Sequence, residues 1–160
     1  MVTATPSYGA NVIMTISLNS LANGGATFAG RQSTIANNKV DLADDSLVSM
    51  TFTSGATPTG TVSLYAFGSV DGTNFGGNAG ITDAALTPAP VSGMKLLDTI
   101  ASNSTVNFTY RIGPYSIAQA FGGSVPPMWG VFVNHTMGAA SNSTAGNFQV
   151  QYVPIKYSSS

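Results

Sequence analysis

Val48-Ser49-Met50-Thr51-Phe52-Thr53 sets an apolar side chain at every second position. A period of two belongs to a strand with one buried and one solvated face, and it is incompatible with a helical stripe. The same alternation recurs on both sides of this segment. It is found at Met14, Ile16 and Leu18, at Val106, Phe108, Tyr110 and Ile112, and at Phe148, Val150 and Tyr152. Two further runs, Thr61–Val70 and Met128–Asn134, are apolar on both faces over much of their length and read as central or doubly covered strands. Met94–Ile100 is a weaker strand candidate.

Between these runs lie turn signals: Asn23-Gly24-Gly25, Ser54-Gly55, Asp71-Gly72, Gly76-Gly77-Asn78, Gly113-Pro114 and Pro126-Pro127. Seven to eight short strands with this punctuation predict an all-β chain, an antiparallel β-sandwich or jelly roll. One helical turn is expected, N-capped by Ser116, carrying Ile117, Ala120 and Phe121 and stopped by Gly122-Gly123. Asp71–Pro90 reads as a long loop or arm with one edge strand. At 160 residues the chain is one domain, able to bury about 70% of its unfolded surface. We place that domain at 11–157, between a flexible N-terminal arm, 1–10, and a polar tail, 158–160.

Charge is nearly absent. Asp, Glu, Lys and Arg make up 7% of the chain, against about 25% in an ordinary soluble domain. Such a surface has little to keep copies apart, which favours an assembly component over a freely diffusing enzyme. The five basic residues, Arg31, Lys39, Lys95, Arg111 and Lys156, are scattered, so nucleic acid is not an expected partner. Met1 is followed by no basic segment and no long apolar stretch, so neither a signal peptide nor a membrane span is expected. Four Asn-x-Ser/Thr triplets, at Asn103, Asn107, Asn134 and Asn142, read as products of an Asn- and Ser/Thr-rich composition.

Groups for catalysis are sparse. His135 is the only histidine, no Gly-x-Ser-x-Gly elbow accompanies it, and it reads as a hydrogen-bonded residue at a strand end or in a loop. Asp41, Asp44 and Asp45 form the only acidic cluster. Their spacing is not that of a calcium loop, and a solvated turn before the Leu47 strand is the better reading. No phosphate-binding loop is present. The chain is expected to be no enzyme and to hold no cofactor or metal. Aromatics remain as candidates for a contact surface, although Trp129 reads first as core.

Four segments in order resemble the small β-rich virion proteins of tailed bacteriophages. They are Gly30-Arg31-Gln32-Ser33-Thr34, Tyr65-Ala66-Phe67-Gly68-Ser69-Val70-Asp71-Gly72-Thr73, Gly113-Pro114-Tyr115-Ser116-Ile117 through Phe121-Gly122-Gly123, and Pro127-Met128-Trp129-Gly130-Val131-Phe132-Val133. The resemblance spans about Ile16 to Tyr152 and implies a virion component made in the host cytoplasm. The first expectation is a decoration, or cement, protein on the capsid surface. It would bind the major capsid protein and itself as a homo-oligomer, with three copies suiting a local threefold axis. The alternative is a receptor- or glycan-binding module of a tail or head fibre, with Phe75 and Tyr115 as exposed rings. Candidate interface residues are Tyr8, Arg31, Gln32, Phe67, Phe75, Tyr115 and Trp129, and the region around Thr61–Val70 is expected at a subunit boundary.

Overall fold

The computed structural model describes residues 4–56, 58–88 and 93–159, apart from the side chains of Ala26 and Ser159. Met1–Thr3 of the expected arm, Ala89–Pro90 of the expected loop and Ser160 lie outside the described residues.

The chain is an all-β sandwich of two antiparallel sheets. The first sheet orders β1 (Ala4–Tyr8), β11 (Gln149–Ser159), β5 (Asp45–Thr53) and β9 (Thr109–Ser116), with β2 (Val12–Met14) also on β11. The second orders β7 (Ala84–Leu86), β3 (Gly30–Gln32), β10 (Met128–His135), β6 (Thr61–Ser69) and β8 (Lys95–Ala101), with β4 (Ala36–Asn37) also on β10. The alternation in β5 works as expected. Ser46, Val48, Met50 and Phe52 are buried, while Leu47, Ser49 and Thr51 are only half-buried on the outer face. Between the sheets, Val48, Met50, Phe52, Tyr110, Ile112, Val150 and Tyr152 meet Val62, Leu64, Ala66, Trp129, Val131 and Val133. The indole of Trp129 stands edge-on to the Tyr152 ring at 5.0 Å across this core.

β6 and β10 are buried on both sides, as expected of strands apolar on both faces over much of their length. Their outer face carries a second cluster of Phe67, Phe75, Ala79, Met94 and Phe132, with Phe28, Ile35, Tyr65, Leu86 and Met128 against it. This removes the ground for expecting Thr61–Val70 at a subunit boundary, an apolar face with nothing over it. The chain's own 71–86 segment, carrying Phe75, Ala79 and Leu86, lies over that face. Gly130 lets the layer close, because a Cβ there would lie 2.6 Å from the Phe67 ring.

Ser116 caps the expected helical turn, α2 (Ile117–Ala120), its hydroxyl accepting from the Gln119 N–H at 2.9 Å. A second turn, α1 (Asn38–Asp41), precedes β5. Gly113-Pro114 is not a turn but an interruption inside β9, where the register against β5 slips between Val48 and Met50. Gly113 sits there at φ 98°, and a Cβ would come within 2.6 Å of the Val48 carbonyl oxygen.

At the termini, Ala4–Tyr8 pairs with Ile155–Ser159, so expected arm and tail are two sides of one antiparallel ribbon. β5 reaches β11 only as far as Asp45 opposite Ile155, and the ribbon overhangs beyond that point.

Candidate interaction surface

The polar groups with chemical potential are mostly used to hold the fold. His135 is fully buried, its Nε2 lying 2.8 Å from the Leu21 carbonyl oxygen and its ring 5.6 Å from that of Phe52. Nδ1 has no hydrogen-bond partner. Burial depresses its pKa, the bond to Leu21 opposing this only in part. No hydroxyl nucleophile is bonded to the imidazole among the described residues, so no hydrolase geometry is assembled there.

The acidic cluster lies in a partly exposed segment before β5, as expected, but each of its carboxylates is also bonded to a distant element. Asp41 accepts from the Tyr152 hydroxyl at 2.9 Å, Asp44 from the Tyr157 N–H at 2.7 Å, and Asp45 from the Ala118 N–H at 2.9 Å. Three neighbouring carboxylates thus pin β11, the terminal ribbon and α2. Burial, aided by the bond to Asp41, drives the Tyr152 hydroxyl pKa far up. The other three acids are engaged too. Asp71 closes the turn after β6, Asp83 pairs with Arg31, and Asp98 accepts from the Tyr115 hydroxyl. Among the described residues no group of three or more His, Cys, Asp or Glu side chains could hold a metal ion, and no helix is long and apolar enough to cross a membrane.

Most of the residues expected at an interface lie inside the chain, and burial corrects that reading for Gln32, Phe67, Phe75 and Trp129. The amide of Gln32 clamps the covering loop, donating to the Thr82 carbonyl at 2.6 Å and accepting from the Gly80 N–H at 2.9 Å. Arg31, half-buried, does the same through Asp83 at 2.5 Å, and Ser17 donates to that carboxylate at 2.6 Å. Desolvation pushes the Asp83 carboxyl up, but the bonds from Arg31 and Ser17 hold it below its ordinary value. Phe67 and Phe75 meet edge-on at 5.8 Å beneath the same loop. The Tyr115 hydroxyl is raised, first by its bond to Asp98 and then by burial. Gln32, Phe67 and Phe75 therefore belong to one layer, the outer face of the second sheet. Arg31, opposite core-facing Val133, points to the other face of its strand, and Tyr115 and Trp129 lie elsewhere. Of the glycosylation triplets, Asn134 is buried and donates to the Ala29 carbonyl, which removes it from any modifying enzyme's reach.

Tyr8 alone is prominently exposed, at 63%. It belongs to a surface for which the sequence reading named no other member. Residues paired across antiparallel strands share a face. Pro6 opposite Tyr157 and Tyr8 opposite Ile155 therefore form one face of the ribbon, and Thr5, Ser7, Lys156 and Ser158 form the other. The apolar face continues through Val153 and its partner Leu47 onto the outer face of the first sheet. There Tyr8, Leu47, Pro114 and Val153 line a shallow depression. Tyr157 is 54% exposed. The signal that could have found this surface is the alternation of Val153, Ile155 and Tyr157, which runs on past the last buried strand residue.

Each edge of the ribbon is interrupted at one point. The Gly9 N–H donates to the Pro154 carbonyl at 2.8 Å, so odd-numbered residues of β1 turn their amides towards β11 and even-numbered ones outward. Pro6, which has no N–H, therefore interrupts the outer edge. On the opposite edge, the Tyr157 N–H is taken by Asp44. No protein-family model, curated protein or solved structure matches the chain.

Proposed function

We propose that this protein is a virion component of a tailed bacteriophage, a decoration protein that binds the outer surface of the assembled head and bridges neighbouring major capsid subunits. One observation supports this reading above the others. The terminal ribbon runs past the sandwich with Pro6, Tyr8 and Tyr157 exposed on one apolar face, next to the buried Ile155 and outside both core clusters, and a two-stranded ribbon alone is marginally stable in water. A partner surface would complete it. The neutral hydroxyl and amide surface suits such a role, because desolvating it costs far less than desolvating unpaired charge. The carboxylates, moreover, are already engaged in the fold. Binding confined to the assembled shell would stabilise that shell by mass action and by many weak contacts acting together. Phe75, on which the glycan-binding alternative leans, is buried, and the Tyr115 hydroxyl is taken by Asp98.

The test is to mix the purified protein with expanded heads that lack it and to count bound copies by electron microscopy. Stoichiometric occupancy of repeated surface positions is expected. Failure to bind intact expanded heads, with the protein folded by circular dichroism, overturns the reading.

A further inference from the structure

We propose that copies of this protein join by exchanging β1, each copy laying its Ala4–Tyr8 strand on the Ile155–Ser159 overhang of the next. The inference goes beyond the proposed function: it takes up the self-association expected from the nearly uncharged sequence and supplies its contact. Four observations carry it.

First, every residue of β1 is exposed, so no side chain anchors the strand in its own core. Its hold on the molecule is the backbone pairing to β11. Second, Lys156–Ser159 lies beyond the reach of β5 and has β1 as its strand partner. The overhang is thus a template that needs a strand, and an identical copy's β1 fits it in the same register. Third, the link between β1 and β2 is exposed and falls at a register change. Gly9 lies opposite Pro154, whereas Val12 lies opposite Tyr152, so one extra residue is accommodated between them. Such a bulge, next to a glycine, is where the chain can redirect. Fourth, the ribbon cannot readily grow by adding strands to its edges, because Pro6 interrupts one and Asp44 caps the other. Exchange needs neither of these interrupted edges.

The partner is therefore a second copy of this chain. Exchange remakes the same backbone bonds, so its cost is the entropy of association, which the Pro6, Tyr8 and Tyr157 face offsets by packing near the neighbouring sandwich. Passed from copy to copy around an axis, the contact closes a ring.

The chain contains no cysteine, which gives a clean test. Thr5 and Ser158 are paired across the ribbon and both exposed, so Thr5→Cys and Ser158→Cys place two thiols at a separation a disulfide can span. The double variant is oxidised at a concentration where light scattering shows the oligomer, then run on a non-reducing denaturing gel. A covalent ladder ending at the scattering copy number is expected. An oligomer whose disulfides are all intramolecular overturns exchange but leaves oligomerisation standing. A monomer at every concentration overturns both. As a second measurement, the Thr5→Cys and Ser158→Cys single variants are prepared separately and mixed. A disulfide joining the two variant chains through the introduced thiols, located by peptide mass mapping, supports exchange, and its absence in a folded oligomer overturns it.

Discussion

The carboxylate of Asp44 accepts the backbone N–H of Tyr157 at 2.7 Å, tying the turn before β5 to the last paired residues of the chain. This bond interrupts the one edge of the ribbon that Pro6 does not. Replacing Asp44 with Ala removes the acceptor but no core contact, since Asp44 is itself exposed. We expect the Tyr157 amide to exchange with solvent about fivefold faster, the factor that ~1 kcal/mol of lost local stability produces, with β5 and β10 amides unchanged. Asp44→Asn keeps an acceptor oxygen and should restore most of the protection. Amide exchange followed by NMR reads both, and equal rates in all three proteins would refute the role given to this bond.

Gln32 should matter more than Arg31 for the loop over the second sheet. Its side chain is 3% exposed and bonded at both ends, whereas the Arg31–Asp83 pair is reached by solvent. Gln32→Ala leaves the Gly80 N–H and the Thr82 carbonyl without their partner and opens a void beside them, a loss of about 1–3 kcal/mol. Arg31→Ala should cost at most about 1 kcal/mol. Urea unfolding of the two variants orders them, and limited proteolysis should cut Gln32→Ala first within 76–86.

Legibility followed the range of the interactions involved. Val48, Met50 and Phe52 declared a half-buried strand through local alternation, and Ser116 declared its cap through the residues that follow it. Gly113-Pro114 misled because the residue types that make turns also make strand bulges, and only the β5 partner distinguishes the two. Phe67 and Phe75 looked available for contact because no local pattern says which distant segment covers a second apolar face. The ribbon was hidden for the same reason. Thr5, Pro6 and Ser7 alternate weakly, and their partners stand at the other end of the chain. Three of the six carboxylates looked like a solvated cluster, although each bonds a different element.

Asp71 provides an acid-sensitive element. Its carboxylate accepts from the Asn74 and Thr73 backbone N–H groups, the Asn74 amide and the Ser69 hydroxyl, which together hold its pKa far below the ordinary 3.8. A carboxyl depressed by folding contributes stability above its unfolded pKa and loses that contribution as pH falls towards the folded value. The 69–74 turn should therefore stay closed at pH 5 and loosen progressively below about 4. Chemical shifts of the Thr73 and Asn74 amides should report this, while Asp71→Asn, with no charge to titrate, should show a flat profile over the same range.

His135 sets the behaviour at milder acidity. In the folded chain it is buried and neutral, with Nε2 at the Leu21 carbonyl and Nδ1 facing no acceptor. Charging it would place an unpaired N–H⁺ beside Phe52 and Val62, neither of which can neutralise it. Its pKa in the folded state lies below the ordinary 6.5, so the unfolded chain binds the proton first as pH drops. By linkage, stability is unaffected at pH 8 and decreases as pH falls through 6.5 towards the folded pKa. No other side chain of ordinary pKa titrates between pH 5 and 8, because this is the only histidine and the chain has no cysteine. The urea midpoint of the wild-type protein should therefore fall between pH 8 and pH 5. His135→Phe should be less stable at pH 8, having lost the bond to Leu21, yet show little change over the same interval. Parallel slopes for the two proteins would remove His135 as the titrating group.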